Sequence, residues 1–205
     1  TALHMQRLDR KIAVSLLRLS RGNMKVAVLM LFAVTAFLSM WISNTATAAM
    51  MLPLAMGMMS HLDQEKERKT YVFVLLGIAY CASIGGLGTV VGSPPNMIAA
   101  KALNLDFVGW MKLGLPMMLL ILPLMLFSMY VILKPNLNER VEVKAESIPW
   151  TLHRVIALLI FLAAAISWVF SSKIKDVFGI SNPDTVIALI AAVAVVVFGV
   201  AQWKE

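Results

Sequence analysis

The sequence predicts an all-α membrane protein: a helical hairpin, one discontinuous span and three further transmembrane helices. Three observations carry that expectation. The 205 residues are 60% hydrophobic and 14% charged, with a mean hydropathy of +0.83. A soluble domain is about half apolar and about a quarter charged. Residues 26–62, 71–100, 113–133, 155–172 and 185–203 contain no Asp, Glu, Lys or Arg, and a membrane span needs about 20 mostly apolar residues. The basic residues behind the net charge of +7 flank those blocks, as cytoplasmic loops require. That layout argues against nucleic acid as a partner. The single cysteine, Cys81, lies inside a block, so neither an internal disulfide nor a cysteine metal site is expected.

Residues 1–22 carry Arg7, Arg10, Lys11, Arg18 and Arg21, with Leu8, Ile12, Ser15, Leu16 and Leu19 at helical spacing. A basic amphipathic helix of this kind lies in the headgroup plane of a bilayer. Residues 26–62 are too many for one span and enough for two short helices. Their middle, Trp41-Ile42-Ser43-Asn44-Thr45-Ala46-Thr47, is a polar break between two arms of about 17 residues, each about 25 Å long as a helix. This predicts a hairpin, re-entrant or fully crossing, with both ends on one side.

The charged segment 61–70 reads as a loop. Residues 71–100 are then interrupted by Ser83-Ile84-Gly85-Gly86-Leu87-Gly88-Thr89-Val90-Val91-Gly92-Ser93-Pro94-Pro95-Asn96. Four glycines and two prolines cannot continue a helix. Non-helical backbone at membrane depth survives only where protein buries it or where it lines a cavity. Residues 113–133, 155–172 and 185–203 read as ordinary spans, with Trp110, Trp150 and Trp203 as interface anchors. If residues 1–25 face the cytoplasm and the hairpin returns, then 61–70 and 134–154 are also inside. The inside segments carry 13 Lys/Arg against 4 for 101–112 and 173–184, which agrees with the positive-inside rule.

The two polar breaks carry the chemistry. Ser43 or Asn44 can cap a helix beginning near Thr45. Ser93 can cap one with Pro94 at its first position. Helix N-termini have unpaired N–H groups and a partial positive charge, so two of them meeting at mid-membrane make an anion site. Unwound carbonyls beside them suit a hard cation such as sodium. The spans contain no acidic or basic residue, so neither a carboxylate proton relay nor a fixed cation for an anionic substrate is in view. The joint pattern points to a cation-coupled anion carrier. Single Gly, Ser or Thr residues in such helices commonly serve close packing. An intramembrane hydrolase using Ser43 or Ser93 is disfavoured, because a serine nucleophile needs a base within reach and His4, His61 and His153 all sit at span boundaries. A channel is disfavoured because charged pore rings are missing. Cys81 and the methionines of the spans read as packing residues.

Ser43-Asn44-Thr45 with the following Ala46-Thr47-Ala48-Ala49-Met50-Met51-Leu52-Pro53 resembles the signature hairpin of the divalent anion–sodium symporter family. Gly77-Ile78-Ala79-Tyr80-Cys81-Ala82-Ser83-Ile84-Gly85-Gly86, continuing to Gly92-Ser93-Pro94-Pro95-Asn96, resembles that family's unwound fifth span. The likeness is closest to bacterial sodium-dependent dicarboxylate transporters and covers essentially the whole chain. It implies an interfacial helix at 1–22 and a transport-domain part at 23–133. That part comprises a re-entrant hairpin at 23–60, the broken span at 71–103 and a span at 107–133. A cytoplasmic connector at 134–150 and a scaffold part at 151–205, with spans at 151–171 and 184–203, complete the chain. The implied sodium site is Ser39, Ser43, Asn44 and Gly92, and the implied substrate contacts are Asn44, Thr45 and Ser93. The resemblance further implies an inverted-repeat, elevator-type symporter of succinate, malate or fumarate in the bacterial inner membrane. It would be a homodimer through its scaffold, with co-transported sodium and no organic cofactor. A sodium-independent exchanger on the same fold is the alternative. The chain begins at Thr1 without an initiator Met, and the family's second hairpin is missing from it. It therefore reads as an internal piece of a larger transporter.

Overall fold

Asn23 starts the first helix by accepting the Val26 N–H on its side chain at 3.3 Å, which satisfies one of the free donors of a helix start. In the computed structural model, residues 20, 22–139, 151–178 and 183–200 are described, and they are helical apart from short connections. The expected interfacial helix at 1–22 lies almost entirely outside the described residues, as do most of the connector and residues 201–203. The helices are α1 (Met24–Ser39), α2 (Asn44–Met58), α3 (Arg68–Gly85), α4 (Pro94–Ala102), α5 (Phe107–Leu133), α6 (Leu152–Val169), α7 (Ser171–Phe178) and α8 (Pro183–Val197), with a 3₁₀ turn at Gly86–Gly88.

Side-chain contacts fix the directions of the first helices. Phe32 of α1 lies over Gly77 and meets Phe73 edge-on at 5.6 Å, while Ala36 packs its backbone on Gly85. So α1 runs parallel to α3. On α2, Asn44 lies beside Gly86, and just past its far end the Met59 carbonyl accepts the Tyr71 hydroxyl at 2.8 Å. So α2 runs antiparallel to α3, and α1 and α2 form the expected hairpin. Its arms are 16 and 15 residues long. The α5 helix is also antiparallel to α3. Trp110 Nε1 donates to Leu87 O at 3.0 Å near one end, and near the other Tyr130 meets Phe73 at 6.2 Å.

The buried core runs through α1, α2 and α3, with Leu31, Phe32, Met51, Val74, Ile78 and Cys81 at its centre. Its outside is as apolar as its inside. On α5, Leu120 is 65% exposed, Phe127 68% and Ile132 74%. Apolar surface on that scale marks a membrane or partner surface. Among the described residues, three helices are long and apolar enough to cross a membrane: residues 68–88, 107–133 and 152–169.

Three expectations change in detail. Helix α3 starts at Arg68, not at Tyr71. Its first turn is pinned from outside, since Thr70 accepts the Asn136 N–H at 3.0 Å and Asn136 Nδ2 donates to Glu67 at 3.1 Å. The last helix stops at Val197, short of the charge-free block's end at 203. Gly199 there adopts φ +63°. Its N–H reaches Val196 O, and the Val200 N–H reaches Val195 O, both at 3.0 Å. This is the Schellman closure that glycine permits. Residues 173–178, expected as part of an outside loop, belong to the short helix α7. In the loop between α2 and α3, backbone N–H groups of Lys66 and Glu65 and the Lys66 ammonium hold the Asp63 carboxyl below its ordinary range.

The α1–α3 contact rests on Gly85. A Cβ at this position would collide with Ala36 backbone, which cannot move aside as a side chain can. Gly85→Val should destabilise the protein by about 1–3 kcal/mol or more, as overpacking does. Gly57→Ala, where a Cβ meets nothing within 4 Å, should be neutral or stabilise by up to about 1 kcal/mol. Thermal unfolding in detergent measures both.

Candidate functional site

The hairpin tip and the broken span meet at one depth. Counting along α3 from Arg68 to Ala82 gives about 20 Å at 1.5 Å per residue, so the meeting point is far from the charged loop. The Ser39 hydroxyl, fully buried, donates to Ala82 O at 2.6 Å. A serine has one proton. The neighbouring Asn44 amide must therefore turn its nitrogen towards Ser39, and this assignment rests on that hydrogen-bond logic. In this orientation Asn44 Nδ2 donates to Ser39 Oγ at 2.7 Å and lies 3.2 Å from Ala82 O and 3.3 Å from Gly92 O. Three oxygens, from the hairpin, from α3 and from the break, thus converge on one amide.

Two helix starts share this contact. Ser43 is the N-cap of α2, accepting the Ala46 N–H on its hydroxyl at 3.4 Å, and Asn44 is its first residue. Ser93 is the N-cap of α4, with prolines at its first two positions. Its side chain makes no cap hydrogen bond, so the hydroxyl is not committed to that helix. Since Asn44 touches Gly92, the first turns of α2 and α4 lie next to each other, with Thr45 exposed and Ser93 half-buried beside them. The structure brings Ser39, Asn44 and Gly92 together. It leaves Ser43 exposed and occupied as a cap, outside the three-oxygen cluster. Among the described residues no group of three His, Cys, Asp or Glu could hold a metal ion. The donors available are a hydroxyl, an amide and carbonyls, a set suited to a hard monovalent cation.

The sequence alone does not single out three groups at this site. One is the Ala82 carbonyl. The others are Thr89 and Asn96, both buried, which bond the backbone of the break. Their signal is weak but real: a buried polar side chain in a charge-free block needs partners. Trp41, at the hairpin tip, stacks on Phe107 at 6.2 Å and meets Phe161 of α6 edge-on at 5.2 Å. Phe107 in turn stacks on Trp168 at 5.3 Å. The Phe107 N–H donates to Asp184 Oδ2 at 3.1 Å, and Trp168 Nε1 to Asp184 O at 3.1 Å. This aromatic and hydrogen-bonded contact joins the site-bearing helices to α6 and α8.

An apolar helical bundle with a polar hairpin tip against a broken span defines a membrane transporter. The chain belongs to the citrate transporter family, whose profile matches residues 2–205. It is 52% identical, over its whole length, to an uncharacterized transporter of Haemophilus influenzae, of which it covers 46%. It is 27% identical over 79% of its length to the low-affinity phosphate transporter PHO90 of Saccharomyces cerevisiae, covering 18% of that protein. It is 26% identical over 69% of its length to the sodium-dependent dicarboxylate transporter SdcS of Staphylococcus saprophyticus, covering 34% of that protein. The chain therefore spans about half the length, or less, of the curated relatives it matches. Family and relatives are transporters and not enzymes. The match is to a family of citrate transporters, and the named dicarboxylate transporter is a distant relative.

A Cβ on Gly92 would strike Gly86 O, the carbonyl against which the break folds back. Gly92→Val should abolish function in the complete protein by opening the break, read as lost uptake with insertion retained. Cys81→Ser, inside the packed apolar core, should change uptake less than twofold.

Proposed function

We propose that the complete protein is a sodium-coupled symporter that carries C4-dicarboxylates such as succinate, malate or fumarate into the cell. The observation that carries this reading is the convergence of Ser39 Oγ, Ala82 O and Gly92 O on Asn44, at the adjoining starts of α2 and α4. Rotation of the Asn44 amide would replace its N–H with Oδ1 and turn a self-satisfied cluster into an oxygen cage for sodium. Ser39, Asn44 and Gly92 would hold the ion, and Ser43 would support the cage as the cap of α2. Asn44, Thr45 and Ser93 would meet substrate carboxylates at the two helix N-termini, where free N–H groups favour anions.

Charge arithmetic favours coupling. A dianion entering against 100 mV, inside negative, costs about 4.6 kcal/mol at about 2.3 kcal/mol per charge. Two sodium ions cancel that charge, and a third lets the potential drive uptake. The charge-free blocks that hold the hairpin tip and the break, residues 26–62 and 71–100, offer no fixed Lys or Arg to do this work, which weighs against the sodium-independent exchanger. On this reading residues 23–133 move as part of a transport domain against a scaffold containing 151–205. The protein is then a homodimer of the bacterial inner membrane working by an elevator motion.

The test is uptake of labelled succinate by the complete protein in proteoliposomes, with an inward sodium gradient or with choline replacing sodium. Citrate and inorganic phosphate serve as competitors. Uptake only with sodium, inhibited by malate and fumarate, is expected. Sodium-independent uptake that requires internal dicarboxylate would establish the exchanger, and stronger inhibition by citrate or phosphate would reassign the substrate. Asn44→Ala should lower sodium-dependent uptake at least a hundredfold while leaving the protein inserted. Wild-type rates in that variant would remove Asn44 from the site.

A further inference from the structure

The break between α3 and α4 is a closed knot of hydrogen bonds tied by two side chains. Asn96 sits in the first turn of α4, 4% exposed. Its Nδ2 donates backwards to Gly86 O at 2.7 Å and to Thr89 O at 2.8 Å. Thr89, with no exposed surface, links the break to the hairpin. Its hydroxyl donates to Met40 O and accepts the Gly92 N–H at 3.1 Å. Neither side chain has a hydrogen bond to Ser39 or Asn44. Thr89 bonds the Gly92 N–H, in the peptide unit just before the carbonyl that faces Asn44, and Asn96 ties the earlier part of the break, at Gly86 and Thr89, to the first turn of α4.

We propose that Thr89 and Asn96 are positioning residues for the cation site, setting where the Gly92 carbonyl stands relative to Asn44 and Ser39. The proposal rests on the sodium reading above. Ligand groups must be held to within about 0.5 Å to be useful, and a glycine carbonyl in non-helical backbone has no helix to hold it. Thr89 supplies that restraint from the hairpin side, through Met40, and Asn96 supplies it from the α4 side. Thr89 also ties the break to the hairpin tip through one hydroxyl, beside the contact of Asn44 with Gly92. Loss of that hydroxyl leaves the Gly92 N–H and the Met40 carbonyl both short of a partner, so the break and the tip should separate and sodium affinity should fall.

The experiment uses the complete protein as wild type, Thr89→Ser, Thr89→Val and Asn96→Asp. Sodium is titrated at constant ionic strength with choline. Two readouts are taken: the shift of the thermal unfolding midpoint in detergent without substrate, and the sodium dependence of succinate uptake in proteoliposomes. The loss of a buried hydrogen bond at a ligand group should raise the half-saturating sodium concentration about tenfold in Thr89→Val and Asn96→Asp. Thr89→Ser, which keeps the hydroxyl, should stay within twofold of wild type. The KM for succinate at saturating sodium should stay within twofold in all variants that fold. A purely structural role predicts a lower unfolding temperature with an unchanged half-saturating sodium concentration, and that result in Thr89→Val would overturn the proposal. If Thr89→Val does not fold, Asn96→Asp decides on the same criterion. A wild type that shows neither sodium-dependent uptake nor a sodium-dependent shift would instead overturn the sodium reading, and this proposal with it.

Discussion

Backbone that leaves the helix inside an apolar bundle has nowhere to find water, and every other feature of this site follows from how that demand is met. Between Gly86 and Ser93 the chain passes through a 3₁₀ turn, an extended residue and a turn. An unpartnered backbone group in hydrocarbon costs several kcal/mol. Here Asn96 and Thr89 supply donors and acceptors from within the same loop. From the hairpin, the Asn44 nitrogen reaches the Gly92 carbonyl and the Ser39 hydroxyl reaches a carbonyl in the last turn of α3. The polar groups that tie the break together are thus next to the ones that make a binding site, and the hairpin and the broken span require each other.

The approach of hairpin and span is a packing achievement. Gly77 takes the Phe32 ring and Gly85 takes the Ala36 backbone, so α1 and α3 lie closer than side chains would otherwise allow. Small residues are the usual means of close helix approach in lipid, where there is no hydrophobic force between helices to exploit. The result is that Ser39, the last residue of α1, reaches a carbonyl of α3 at 2.6 Å. The site consequently carries no formal charge and needs none. Its polarity comes from carbonyl dipoles, hydroxyls, an amide and two helix starts.

The helices after residue 150 touch this assembly through a small aromatic contact. Trp41 and Phe107 lie against Phe161 and Trp168, and Asp184 accepts the first N–H of α5. The contact comes from both the hairpin tip and the start of α5. Any displacement between the two groups of helices has to slide or break it.

The membrane character of the chain and the number and order of its apolar segments were legible in the sequence, because both follow from composition along the chain. So were the two places where helices must stop. Gly and Pro rules locate the break at 85–95, and Ser43 and Ser93 announce the helix starts through local capping chemistry. Local rules miscounted at the edges. Arg68 joined α3 because Asn136, distant in sequence, holds that first turn, and the last helix ended early because Gly199 was free to take positive φ. What only the tertiary structure decided is which polar atoms meet. That Ala82 contributes its carbonyl, that Thr89 reaches Met40 and that Asn96 turns back on Gly86 depend on the depth at which α1 packs on α3, set by Gly77 and Gly85 against Phe32 and Ala36, 45 and 49 positions away in the chain. A sequence states which groups would need partners once buried. The partners themselves are chosen by packing.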